Sequence, residues 1–235
     1  MKLQGKTLLS NFLRFIIPSI LAQWVFTLYT IVDGIFVAKG VSEVALTAVN
    51  ISMPFTTALF SVSILFAVGN STVVAILLGR KKGDEANEAF TQNLFFLGIL
   101  AIILSIIVML NLERFANFLG ATDLTREYVC QYIGTIAPFA IAFVFSYSFE
   151  MLIKTDGFPK KAMTIVFTGA VLNVILDYIF VMIFKWGVFG ASFATGLSQT
   201  TVCVLYLIHF LSKKGVLKLV RFKWKTSLII REARN

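Results

Sequence analysis

The chain has 235 residues, of which 58% are apolar and 14% charged, against about 25% charged in an ordinary soluble domain. With a mean hydropathy of +0.86, this composition excludes a water-soluble globular domain and describes a polytopic membrane protein. The formal net charge of +9 raises nucleic acid as a partner, and the placement of the charges removes it below.

A membrane helix needs about 20 apolar residues, and six runs qualify in chain order. The first is 12–37, interrupted by Pro18, Gln23 and Asp33. It is too long for the h-region of a signal peptide, and no small-residue cleavage site closes it. The second lies within 44–78 (about 46–78), followed by 90–112, 129–153, 162–184 and 188–211. These six form an all-α lobe over residues 1–211. Residues 212–235 then read as a basic tail, or as the start of an inter-lobe linker.

The second run is long enough to raise the question of two spans, and charge decides it. With one span, one side of the membrane holds Lys2, Lys6, Arg14, Arg80, Lys81, Lys82, Lys154, Lys160, Lys161 and all the tail cations. The other holds only Lys39, Arg114, Arg126 and Lys185. Basic residues stay on the cytoplasmic side, so both ends are expected there, in the cell membrane. The basic charge faces anionic lipid head groups rather than nucleic acid. The second run is expected to be one long helix with an irregular or interfacial outer end near Pro54. Its Asn50, Thr57, Ser61, Asn70 and Thr72 mark a face turned to protein or water, or else ordinary small-residue packing. The tail interleaves Leu, Val, Phe and Trp with its cations, as a surface-lying segment or a linker does.

Ordinary enzymatic chemistry has little to stand on. There is no HExxH, P-loop or GxSxG pattern, and no cofactor is indicated. Cys130 and Cys203 lie in apolar runs and form no disulfide or metal framework. The single histidine, His209, reads as an interfacial side chain without a partner cluster.

The informative stretch is LNVILDYIF, residues 172–180, where Asn173 and Asp177 interrupt an apolar run. Four residues apart, they share one helix face. Ionisable groups within a span are costly and mark functional sites; the plainer reading is interhelical hydrogen bonding, which usually employs uncharged side chains. On the expected topology Asp33, Asn173, Asp177 and Thr195 all fall ~6 to 17 Å below the outer edge, at ~1.5 Å per helical residue. Two carboxylates, an amide oxygen and a hydroxyl make an all-oxygen site that suits a hard cation such as sodium. It equally suits a proton, because two close carboxylates in a low dielectric do not both stay charged. An internal echo, IVDGIFV (31–37) and ILDYIFV (175–181), repeats an Asp at the same depth.

IKTDGFPKKAM, LNVILDYIF and GVFGASFATGLSQ together resemble the multidrug and toxic compound extrusion (MATE) family. IVDGIFVAKG, the GN–LLGRKKGDEANEAF stretch and FLGATD agree in order and spacing. The resemblance implies one six-helix lobe, the amino-terminal one, of a transporter whose two lobes are related by a pseudo-twofold axis. It also implies a cation site on Asp33, Asn173, Asp177 and Thr195, a bending proline at Pro18 and a nearby tyrosine at Tyr132. The expected activity is proton- or sodium-coupled antiport of cationic or aromatic drugs. The cavity is expected from spans 1, 2, 4 and 5, rich in Phe and Met. The partner is a second lobe or a second copy. The alternatives are a lipid-linked oligosaccharide flippase and a non-transporting assembly module. A flippase calls for Arg or Lys in the cavity, whereas the deep charges here are acidic and Arg14 lies only at the inner mouth.

Overall fold

The structure is a computed structural model describing residues 2–212, 215–222 and 224; for residues 2–11, 14 and 15 it describes the backbone alone. The side chains of Lys2, Lys6 and Arg14, and most of the tail, lie outside the described residues.

Helix α1 (Lys2–Gly40) turns through Val41 and Ser42 into α2 (Glu43–Gly79). The Ser42 hydroxyl accepts from the Ala45 N–H at 3.0 Å, capping α2. Helix α3 (Gly83–Leu110) follows, then the short α4 (Leu112–Phe118). The fourth span consists of α5 (Arg126–Ile136), a 3-10 turn (Ala137–Phe139) and α6 (Ala140–Thr155). Pro138, which lacks an N–H, lies in that turn and divides the span. Helix α7 (Pro159–Asp177) ends in a π-helical turn (Tyr178–Ile183), and α8 (Gly187–Leu211) closes the bundle. Six of these segments are long and apolar enough to cross a membrane.

Three details differ from the sequence reading. Helix α2 passes through Pro54 without interruption, so its outer end is regular. Its polar residues also split: Asn70 is buried and donates to the Ala89 carbonyl at 3.1 Å, while Asn50, Thr57, Ser61 and Thr72 are exposed. Likewise α3 stops at Leu110, and the residues beyond it begin the separate helix α4.

Helix α1 packs on α7, α7 on α8, α8 on α5 and α6, α6 on α2, and α2 on α3. The apolar core falls into two parts. One, around Val37, Phe55, Ile133, Phe143 and Val188, fills the end where α1 meets α2. The other, around Phe90, Phe149, Leu152, Tyr206 and Phe210, fills the basic end, where α2 meets α3. Uncharged polar contacts stitch the helices together, with Ser63 donating to the Val144 carbonyl at 2.7 Å and Ser146 to the Gln199 carbonyl at 3.1 Å.

At the basic end, residues 215–222 fold back against the bundle. The Val216 and Leu217 N–H groups donate to Asp156 Oδ1 at 2.8 and 3.1 Å. Lys218 N–H donates to Asn87 Oδ1 at 2.8 Å and Val220 N–H to Thr91 Oγ1 at 3.1 Å. Leu217 is buried in the core there. This part of the tail is therefore docked on protein. His209 corrects the sequence reading too: it is buried, with Nε2 3.2 Å from Asp156 Oδ2 and Nδ1 2.9 Å from Lys161 Nζ.

Candidate functional site

Helices α1, α7 and α8 bring four of the sequence-selected residues to one place. Asp33 on α1 is 6% exposed, Asn173 1% and Asp177 0%. Asn173 and Asp177, one turn apart on α7, present the same face. The Asn173 amide N–H donates to Thr195 Oγ1 of α8 at 3.4 Å, and that hydroxyl donates onward to the Ala191 carbonyl at 3.0 Å. The Asp33 and Asp177 carboxyls lie within side-chain reach of each other. They are not well aligned, however: Asp33 Oδ1, both Asp177 oxygens and Asn173 Oδ1 make no hydrogen bond of good geometry. Buried acceptors in native proteins are normally satisfied, and a shared proton or a hard cation would satisfy this set. The donor set thus fits a proton or sodium.

The backbone holds the site by close approach. Asp177 is the last residue before the π-helical turn, where the Phe184 N–H reaches back to the Ile179 carbonyl at 2.8 Å. Such turns are rare and recur at functional sites. Gly40 and Gly190 flank it: a Cβ on Gly190 would lie 3.1 Å from the Phe180 backbone, and one on Gly40 2.6 Å from Val181 Cγ1. Small residues at these two positions let α1 and α8 close on the turn.

Tyr132 of α5 is buried within electrostatic reach of both carboxyls. Pro18 is not part of the cluster. It lies 15 residues before Asp33 on α1, or ~22 Å along the axis, in a helix that runs unbroken from Lys2 to Gly40. The sequence reading missed Tyr29 and Gln199. Tyr29 is one turn before Asp33, lies within electrostatic reach of both carboxyls and is within side-chain reach of Gln199 of α8. The i−4 spacing from Asp33 was the available signal.

A cavity of about 240 Å³ extends from Asn173 and Thr195 towards Glu150 and Lys154. Its walls differ from the expected ones. The sixth span, α8, contributes Thr195, Ser198, Gln199, Val202 and Tyr206, whereas α2 contributes Phe60 alone. Met151 is its one methionine, and its aromatic residues are Phe26, Tyr29, Phe60, Tyr147 and Tyr206. Asp33 and Asp177 are absent from its lining, whereas Asn173 belongs to it.

The MatE family profile matches residues 18–179. Among curated relatives is the multidrug export protein MepA of Staphylococcus saprophyticus, 25% identical over 219 residues, which cover 91% of this chain and 48% of that protein. MepA of Staphylococcus aureus is 26% identical over 210 residues, covering 87% and 45%. The chain spans about half the length of the curated relatives it matches. The fold matches an outward-facing multidrug resistance MATE family transporter with a TM-score of 0.87 at 24% identity, over 94% of this chain and 50% of that one. It matches the MATE multidrug transporter DinF-BH with a TM-score of 0.85 at 30% identity, over 92% and 49%.

Proposed function

The chain belongs to the MatE family, and from that premise we propose that it is the amino-terminal lobe of a cation-coupled exporter of cationic drugs or other xenobiotics. It is a multi-pass membrane protein. The proposed location is the cell membrane, with both ends cytoplasmic, as the distribution of Lys and Arg supports. The observation that carries the proposal is the buried cluster of Asp33, Asn173 and Asp177, with Thr195 bonded to Asn173 at its edge and four carboxyl and amide oxygens unsatisfied.

The proposed coupling follows from electrostatics. With a proton or sodium bound, the two carboxyls lie side by side in a low dielectric at small cost. When the ion leaves, two negative charges face each other where neither is hydrated, and α1 and α7 relieve this by moving apart. Asn173 belongs to both the ion cluster and the cavity wall, so displacement of α7 alters the cavity. That is the link by which ion occupancy changes the affinity for substrate. The flippase reading gains nothing here, because the one cation among the described residues lining the cavity, Lys154, is neutralised by Glu150 at 2.6 Å.

The test is Asp177→Asn in whatever assembly of this chain transports a fluorescent cation. Export driven by a proton or sodium gradient is expected to be lost, with folding retained. Normal gradient-driven export by this variant would overturn the reading.

A further inference from the structure

We infer that Glu150 and Lys154 form a second subsite in the cavity, built to receive the charged group of a monovalent organic cation. Glu150 is the anion that takes it, and Lys154 is the resident cation that it displaces. The inference rests on the exporter reading and names where its substrate binds.

Asp33 and Asp177 are 6% and 0% exposed and do not line the cavity, so they are poorly placed to meet a bulky ligand. Glu150 is the one carboxylate among the lining residues. Its side chain is 18% exposed, that of Lys154 17%, and Lys154 Nζ lies 2.6 Å from Glu150 Oε1. Tyr147 and Tyr206 lie within electrostatic reach of the Glu150 carboxylate, and both line the same cavity as Phe60. A carboxylate flanked by aromatic rings is a recognition site for flat or quaternary cations.

Lys154 makes the subsite exchangeable. It lies in the last turn of α6, where a cation is favoured by the helix dipole. Its four-carbon stem lets the ammonium leave Glu150 while keeping that favourable position. An incoming cation then takes over the carboxylate, so Glu150 is not left as a bare anion in the cavity. A neutral compound gains nothing comparable. An i,i+4 pair that served only to stabilise the helix would lose its contribution equally from either side.

The experiment is calorimetric titration of ethidium into the 235-residue chain in lipid nanodiscs, with phenanthridine, its uncharged ring system, in parallel and empty nanodiscs subtracted. Glu150→Gln is expected to weaken ethidium binding by about tenfold, the loss of one charge-assisted contact, and to leave phenanthridine within about twofold. Lys154→Gln is expected to tighten ethidium binding by about threefold or more, a gain that misfolding does not produce. The double variant should behave as Glu150→Gln. Unchanged ethidium affinity in Glu150→Gln overturns the subsite while leaving the exporter reading standing, as does equal weakening by both single variants. Absence of any ethidium binding to the unsubstituted chain overturns the subsite and removes the support for organic cations as substrates.

Discussion

At the scale of single residues, the decisive contrast is between polar groups that are satisfied and polar groups that are not. Ser63 and Ser146 each donate to a carbonyl of a neighbouring helix, and they need nothing further. Asp177, fully buried, has no well-formed hydrogen bond to either oxygen. A ligand that binds the folded state alone stabilises it, by about 2.7 kcal/mol at a hundred times its Kd. Thermal unfolding in detergent should therefore move up with sodium at constant ionic strength if sodium is the coupling ion, or with acidification if a proton is. Asp177→Asn should abolish either shift. A chain whose unfolding temperature responds to neither ion would lack the site. Asp33, Asn173 and Asp177 were legible in the sequence because a charge or amide inside an apolar run stands out, and Thr195 because helical rise puts it at their depth. Gln199 was not, since a glutamine in a span signals little until the neighbouring helix is known, and the i−4 spacing of Tyr29 from Asp33 gives only a shared helix face. His209 was misread for the same reason. Its partner Asp156 is 53 residues away in sequence, and no local pattern announces the pair.

At the scale of elements, the span pattern was written plainly in hydropathy, while the irregularities within spans were set by packing. Pro54 and Pro138 show the difference. Both are prolines in apolar runs, yet α2 passes through one unbroken and the fourth span breaks into a 3-10 turn at the other. Which proline interrupts a helix depends on whether neighbouring helices support the freed carbonyl. The π-helical turn after Asp177 is equally silent in sequence. The docking of residues 215–222 depends on one side chain above all, because Asp156 Oδ1 accepts two backbone N–H groups. A hydrogen bond to a charged group contributes about 1.5–3 kcal/mol. Gly215 reinforces the contact, since any Cβ there would collide with the Asp156 carboxyl. Asp156→Ala is expected to release the segment, raising amide hydrogen exchange at Val216 and Leu217 by at least about tenfold, the equivalent of 1.4 kcal/mol. Asp156→Asn keeps an acceptor oxygen and should lose less. Unchanged protection in Asp156→Ala would show that Leu217 burial alone holds the segment.

At the scale of the whole molecule, the six helices bury their own cation site, so the site itself does not demand a partner. Asp33 is 6% exposed within this single lobe, contrary to what a lobe with a bare cavity wall would show. The argument for pairing comes instead from motion and from the surface of α2. Alternating access requires one bundle to rock against another around a shared site, and this chain forms a single bundle. The exposed face of α2 carries Asn50, Thr57, Ser61 and Thr72. Ser61 and Thr72 return their hydroxyl protons to their own helix, at 2.8 and 3.0 Å, as side chains facing lipid do. The Asn50 amide has no such intrahelical bond among the described residues and is better placed against protein or water. Along α1, by contrast, Trp24, Leu28 and Ile31 are more than half exposed, a face suited to lipid tails. The expected outcome is that single copies of the chain do not export. Transport should require either a second copy in parallel twofold arrangement or a second lobe supplied separately. The measurement is reconstitution at very low protein-to-lipid ratio, counting subunits per vesicle while following export of a fluorescent cation driven by a pH gradient. Asn50→Leu should weaken pairing without unfolding the lobe if the α2 face is the contact. Export from vesicles that hold one subunit would end the requirement for a partner. A stable pair that exports nothing would turn the reading towards a membrane assembly module.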